Sequence, residues 1–247
     1  AYEIGVRLVG SEMCIRDRRK QLMTYTYFNR DPRTDLRTTH LFSQAQKRIV
    51  LMVRVPFPTM VVDLRNIEFV SQWSASTRTK INRAEREGLT VDRGNYLIPE
   101  ILKLFSSTAT LKGLRGYVPE DFDQLPHLES SAIYYEGVML CSHIWLIDTE
   151  EKRALLYVNA SNHHNDNDDK SLTGRAHYFL LWQDGLYLNS LGIETMDLMG
   201  YTTKSANKWM SGVYQWKAGT HGKEEMLYHY YPFWFYVFRK FRNMLTG

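Results

Sequence analysis

"SLTGRAHYFLLWQDGLYLNSLGIETMDLMG", residues 171–200, is the stretch on which the reading of this chain turns. It begins with a small-residue turn, Thr173-Gly174. A long apolar run follows from Ala176 to Leu191, with the length of a helix rather than a strand. Gly192 closes it, as glycine does just past a helix terminus. Ile193 to Gly200 then reads as a short buried strand carrying Asp197 between Met196 and Leu198. A glycine turn at a helix head lets a ligand approach the backbone, and free N–H groups there favour negative charge.

Working outward, Ser131–Tyr135, Val138–Asp148 and Ala154–Asn159 read as an antiparallel meander. Its turns are Glu136-Gly137 and Thr149–Lys152. Upstream, Ile49–Val55 and Met60–Leu64 read as two strands with a turn marked by Pro56 and Pro58. Glu68–Glu87 has helical spacing closed by Gly88, Leu89–Val91 returns as a strand, and Asn95–Lys112 is a second helix. Pro119–Leu128 is expected to hold a short helix. Downstream come a helix over Ser205–Ser211, a strand over Val213–Lys217 and a strand over Met226–Tyr231. This order predicts an α+β fold: one central mixed, mostly antiparallel sheet flanked by helices.

Composition bounds the class. The 247 residues are 44% hydrophobic and 23% charged, which fits a globular chain and not a disordered one. The net charge of +4 permits an anionic partner without demanding one, and no dense Lys/Arg stripe marks a nucleic-acid binder. No run of 18 apolar residues occurs, so membrane association is not expected and a cytoplasmic location is. The two cysteines, Cys14 and Cys141, lack metal-site spacing. His163, His164 and Asp166 have no second ligand cluster, so no metal is expected.

Residues 6–18, "VRLVGSEMCIRDR", resemble translated sequencing-adapter sequence of the kind found in metagenomic reading frames. Residues 1–18 are therefore read as a non-native leader, and residues 19–247 as one domain.

Three segments carry a family resemblance: "TRTKINRAEREGLTV" (77–91), "AHYFLLWQDGLYLNSLGIETMDLMGY" (176–201) and "QWKAGTHG" (215–222). Together they resemble the FemAB/FemX group within the GNAT acyltransferase superfamily. The last is similar to that group's Phe-Lys-x-Gly-Phe-Gly-Gly segment, with Trp216-Lys217 in place of Phe-Lys. The resemblance implies a GNAT-like single domain and an N-acyltransferase. It would pass an acyl or aminoacyl group directly from an activated donor to a small amine or peptide-like acceptor. The donor would be acyl-CoA, acyl carrier protein or aminoacyl-tRNA, with no cofactor held tightly. In this fold two neighbouring parallel strands splay apart, and the donor's carbonyl lies in the gap beside backbone N–H groups.

The resemblance and the residues themselves together set the site expectations. Lys217 is placed at the donor end, where its charge stabilises a developing oxyanion or a phosphate. Gly174 and Arg175 fall in the phosphate turn. Asp197, a carboxylate in an apolar strand, must be partnered or shifted, and is a candidate to hold or deprotonate the amine. His143 is a candidate base. Asn159 and Ser161 close the donor strand, Tyr157 and Tyr201 would line the cleft, Trp216 would bind substrate or donor, and Arg78 would reach a phosphate or a tRNA. The aromatic tail, Phe233–Leu245, is expected to pack on the sheet or against a second subunit of a homodimer. The competing reading is a non-catalytic ligand-binding module on the same fold.

Overall fold

The computed structural model describes residues 25–26, 40–43, 48–111, 116–119, 122, 125, 127–162, 170–201, 208–234 and 236–237. Its elements are β1 (Tyr25–Thr26), β2 (His40–Ser43), β3 (Met52–Asp63), α1 (Ala75–Glu85), β4 (Thr90–Arg93), α2 (Ile98–Leu111) and β5 (Leu128–Tyr135). They continue with β6 (Val138–Asp148), β7 (Arg153–Ser161), α3 (Lys170–Ser190), β8 (Thr195–Gly200), α4 (Lys208–Ala218) and β9 (Lys223–Pro232). The adapter-like leader lies outside the described residues, as do His163, His164, Asp166 and the tail beyond Val237.

Two compact units divide the chain: Met60–Glu224, and Ala1–Thr59 with Glu225–Gly247. In the larger unit the strands run in the order β3, β8, β7, β6, β5, β4. Neighbours from β4 to β7 are antiparallel, and β7 pairs with β8 in parallel. This is the expected α+β architecture with a mixed, mostly antiparallel sheet. The meander forms because Glu136 and Gly137 both take positive φ, 49° and 79°, the geometry of a tight hairpin turn. Every residue of β6 after Val138 is buried, so both faces of that strand are covered. Helix α2 packs on β6 and β7, while α3 packs on β5 to β7 and against α1. The core joins Trp73 and Phe69 ahead of α1 to Trp145 on β6 and Leu180, Leu181 and Leu188 on α3.

In the smaller unit β2 pairs with β1 in parallel and with β9 in antiparallel register, Phe42 opposite His229. There the Arg54 guanidinium lies over the Tyr228 ring at 4.6 Å.

Several expectations are corrected. The two expected strands and proline turn of residues 49–64 are replaced by one strand, β3, over Met52–Asp63. Pro56 and Pro58 are two residues apart, so their missing donors face one side and the strand runs through. The helix over Glu68–Glu87 is interrupted: a 3-10 turn, Phe69–Gln72, precedes α1, and Ser74 caps α1 by accepting from the Thr77 N–H at 3.2 Å. The strand over Val213–Lys217 is absent. Those residues are helical and belong to α4, because Lys217 and the Trp216 ring find buried partners at helical rather than alternating spacing.

Candidate active site

The ladder between β7 and β8 holds three pairs, Arg153↔Thr195, Ala154↔Met196 and Leu155↔Asp197. It then stops, although β7 runs on to Ser161 and β8 to Gly200. Both strands have a local cause. On β7 the register against β6 slips, Ile144 facing Val158 and Trp145 facing Leu156, which leaves Tyr157 as an extra residue. A bulge of this kind bends its strand and adds twist. The bulged Tyr157 ring packs against Tyr117 at 6.0 Å and Phe122 at 5.6 Å, which holds the bend. On β8, Met199 takes φ 66°, a conformation costly for a side chain of its size and found where a structure over-determines it.

Asp197 supplies part of that determination. It is fully buried, and its Oδ1 accepts from the Met199 N–H at 2.8 Å. Its Oδ2 is bound by buried Arg153 at 2.5 Å and 3.2 Å. Both oxygens are thus engaged in fixing β8, one beside the last paired residue and one across the ladder.

Lys217 reaches the same place from the last turn of α4. Its Nζ donates to the carbonyls of Gly200 at 2.6 Å and Met199 at 3.1 Å. The side chain is buried, and desolvation pulls its pKa down to about 7, against the opposing charge of Asp197. A lysine whose charge is in balance at neutral pH therefore stands where β8 leaves β7.

A second polar group lies one strand away. Arg93, Ser131, His143 and Asn159 are successive cross-strand neighbours from β4 to β7. Asp184 of α3 comes down on this row. Its Oδ2 accepts from His143 Nδ1 at 2.7 Å, Ser131 Oγ at 2.9 Å and Trp145 Nε1 at 2.9 Å, and its Oδ1 from Arg93 at 2.5 Å. Burial pushes this carboxyl's pKa up, but His143 and Arg93 outweigh it and hold it below the usual range. The rings of His143, His177 and Trp216 then form a group. His143 and His177 are 5.6 Å apart, His177 and Trp216 are 5.5 Å apart, and His143 and Trp216 are 6.5 Å apart.

The sequence-predicted residues divide accordingly. Lys217, Asp197 and Tyr201 gather at the end of β8, where Tyr201 stacks on Tyr214 at 5.4 Å. His143, Asn159 and Trp216 lie around the Asp184 row, and Ser161 ends β7 opposite Cys141. Gly174 is not a turn ahead of the helix: α3 already begins at Lys170, and a Cβ at Gly174 would meet nothing within 4 Å. Arg175 grips Glu87 at 2.7–2.8 Å, tying α3 to the residues just after α1, and also binds Ser171. Arg78 is drawn back onto the carbonyls of Ser71 and Trp73. Both guanidinium groups thus have partners within the chain. Asp184, Arg153 and His177 were not anticipated. A lone carboxylate in the apolar run Tyr178–Leu188 was the available signal, since a buried charge needs partners.

The glycines of Ala218–Gly222 serve close packing. A Cβ on Gly219 would lie 2.5 Å from the Tyr178 hydroxyl and 2.8 Å from Thr77 Oγ1. Gly219→Ala is therefore expected to lower stability by about 1–3 kcal/mol, read by chemical denaturation. A variant as stable as the wild type would show that this contact gives way.

Among the described residues no group of His, Cys, Asp and Glu is arranged to hold a metal, and no helix is long and apolar enough to cross a membrane. No protein-family model and no curated protein matches the chain in sequence. Solved structures do match in fold. FemX superposes with a TM-score of 0.57 at 12% identity, over 69% of this chain and 61% of its own. L-PGS from Bacillus licheniformis superposes with a TM-score of 0.54 at 14% identity, over 79% and 67%. The C-terminal domain assigned to a lysylphosphatidylglycerol synthetase of Agrobacterium fabrum gives 0.51 at 15%, over 74% and 62%. The chain thus spans less than two thirds of FemX and of the Agrobacterium domain. The α+β sheet superposes on these three structures, which makes this a FemX-like fold.

Proposed function

We infer that this chain is an N-acyltransferase that passes an acyl or aminoacyl group from an activated donor directly to an amine. The observation that carries this reading is the divergence of β7 and β8 after Leu155 and Asp197, with Lys217 fixed at the end of β8. A donor carbonyl entering there lies beside main-chain N–H groups on the length of β7 beyond its last pair with β8. Such donors stabilise the oxygen as it gains charge, and do so best when they are held rigidly beforehand. The bulge at Tyr157 and the buried Arg153–Asp197 pair supply that rigidity. Lys217, when protonated, adds positive charge at the same end. The likeness in fold to FemX supports the reaction class.

Coenzyme A, acyl carrier protein and charged tRNA, tested side by side, discriminate the donor. The reading expects one of them to raise the melting temperature, since a ligand that binds only the folded state stabilises it. The same donor is then expected to acylate an amine, detected by mass spectrometry. Stabilisation without transfer to any amine is the behaviour of a non-catalytic binding module on this fold and overturns the reading.

A further inference from the structure

We propose that His143, oriented by Asp184, is the proton acceptor for the attacking amine, in a site shared with Trp216. This deepens the transferase reading by assigning the acceptor side of the reaction.

The geometry begins with Asp184. Four donors from β4, β5 and β6 converge on its two oxygens, so the group is held as an acceptor-only carboxylate. His143 Nδ1 must then be the donating nitrogen in their 2.7 Å contact. In the neutral imidazole this leaves a lone pair on Nε2. That atom is buried and has no hydrogen-bond partner. The indole Nε1 of Trp216 is likewise buried and unpartnered. One orphaned acceptor and one orphaned donor thus occur on rings whose centroids are 6.5 Å apart, and they do not bond each other. Buried polar groups are seldom left unpaired without a functional cause or a bound molecule. A primary amine answers the orphaned acceptor by donating N–H to His143 Nε2, and its single lone pair stays free for the donor carbonyl.

The position fits the transfer. Asn159, the ladder neighbour of His143, lies on the length of β7 beyond its last pair with β8. Trp216 immediately precedes Lys217, whose ammonium marks the end of β8. The titratable and charged groups facing His143 are Asp184 and His177 from α3 and, through Asp184, Arg93 from β4. From α4 it meets Trp216, with Lys217 next in the chain. In the step, the amine nitrogen forms a bond to the donor carbonyl carbon and the carbon–sulfur or carbon–oxygen bond to the donor breaks. The proton lost by nitrogen goes to His143 Nε2. It then passes to the departing thiolate or alkoxide, so no further reactant is needed.

The test compares wild type with His143→Gln, using the donor that stabilises the wild type. The variant is expected to keep the donor's thermal shift and to lose transfer at pH 7 by about 10²–10³-fold. The loss shrinks as pH rises and free amine becomes abundant. Transfer at the wild-type rate with an unchanged pH profile overturns the proposal and leaves the transferase reading standing. A second measurement needs neither a folded variant nor turnover: ¹⁵N NMR of the wild-type histidines, titrated with n-propylamine and, as control, n-propanol. The proposal expects His143 as the Nδ1–H tautomer, with an Nε2 resonance that moves only with the amine. A resonance indifferent to amine overturns it, whatever becomes of the donor.

Discussion

Replacing Lys217 with methionine is expected to lower acyl transfer by about 10²–10³-fold, the loss typical of removing one preorganised charge-stabilising group. The same substitution should also change the pH dependence of stability, and the sign follows from the burial. In the folded chain the Lys217 pKa is about 7, and its ordinary value is 10.5. Between those limits the unfolded chain binds more protons, so stability rises with pH across that window. The buried ammonium is a cost at pH 7 and below, and the cost is relieved as the group deprotonates. Methionine has no such dependence. Between pH 6.5 and 9.5 the wild type should gain about 3 kcal/mol on the variant. Denaturant midpoints at the two pH values read this directly. Parallel stability curves would mean that Lys217 is hydrated, and would remove it from the place assigned to it at the end of β8. Transfer in the wild type is expected to decline as pH rises through about 7, because the working form of the residue is the charged one.

Asp184→Ala is expected to be the most destabilising of the single changes considered, by about 3–5 kcal/mol, the usual cost of breaking a buried charged pair. Oδ2 alone is held by Ser131, His143 and Trp145, all buried, and Oδ1 by Arg93. Truncation leaves these donors in a dry interior, whereas Arg93, about a quarter exposed, can turn to water. For a unit of this size the loss corresponds to a fall in melting temperature of roughly 6–20 °C. A variant within 1 kcal/mol of wild type would show that water enters the row and replaces the carboxylate. This effect is on folding and is distinct from that of His143→Gln, which keeps Asp184 and its other three donors.

Local chemistry made much of the fold legible. The β5–β6–β7 meander follows from alternating apolar runs broken by Glu136-Gly137 and by Thr149–Lys152, because positive φ is needed at those turns. The α3–Gly192–β8 passage follows from a helix-length apolar run and a glycine that takes φ 81°. Where the reading failed, two periods competed. Val213–Lys217 satisfies alternation over five residues and helical spacing equally well, and only the partners of Trp216 and Lys217 choose between them. Pro56 and Pro58 suggested a turn because a proline pair usually ends a strand. Whether it does depends on which neighbour needs the missing donors, and that is a property of the sheet.

The candidate site divides along the same line. Lys217 and Asp197 could be singled out from the chain, since a charged residue inside an apolar pattern must be accounted for wherever it falls. Their roles could not. That Asp197 clamps the Met199 amide, that Tyr157 is the extra residue of a bulge, and that Asp184 descends on a row drawn from four strands are all facts of register. Sequence by itself determined which segments alternate and which wind, because those preferences are settled by neighbours a few residues apart. Only the tertiary structure decided where β7 and β8 part and which buried charges meet. Those contacts join residues as far apart as Arg93 and Asp184, and no local preference links them.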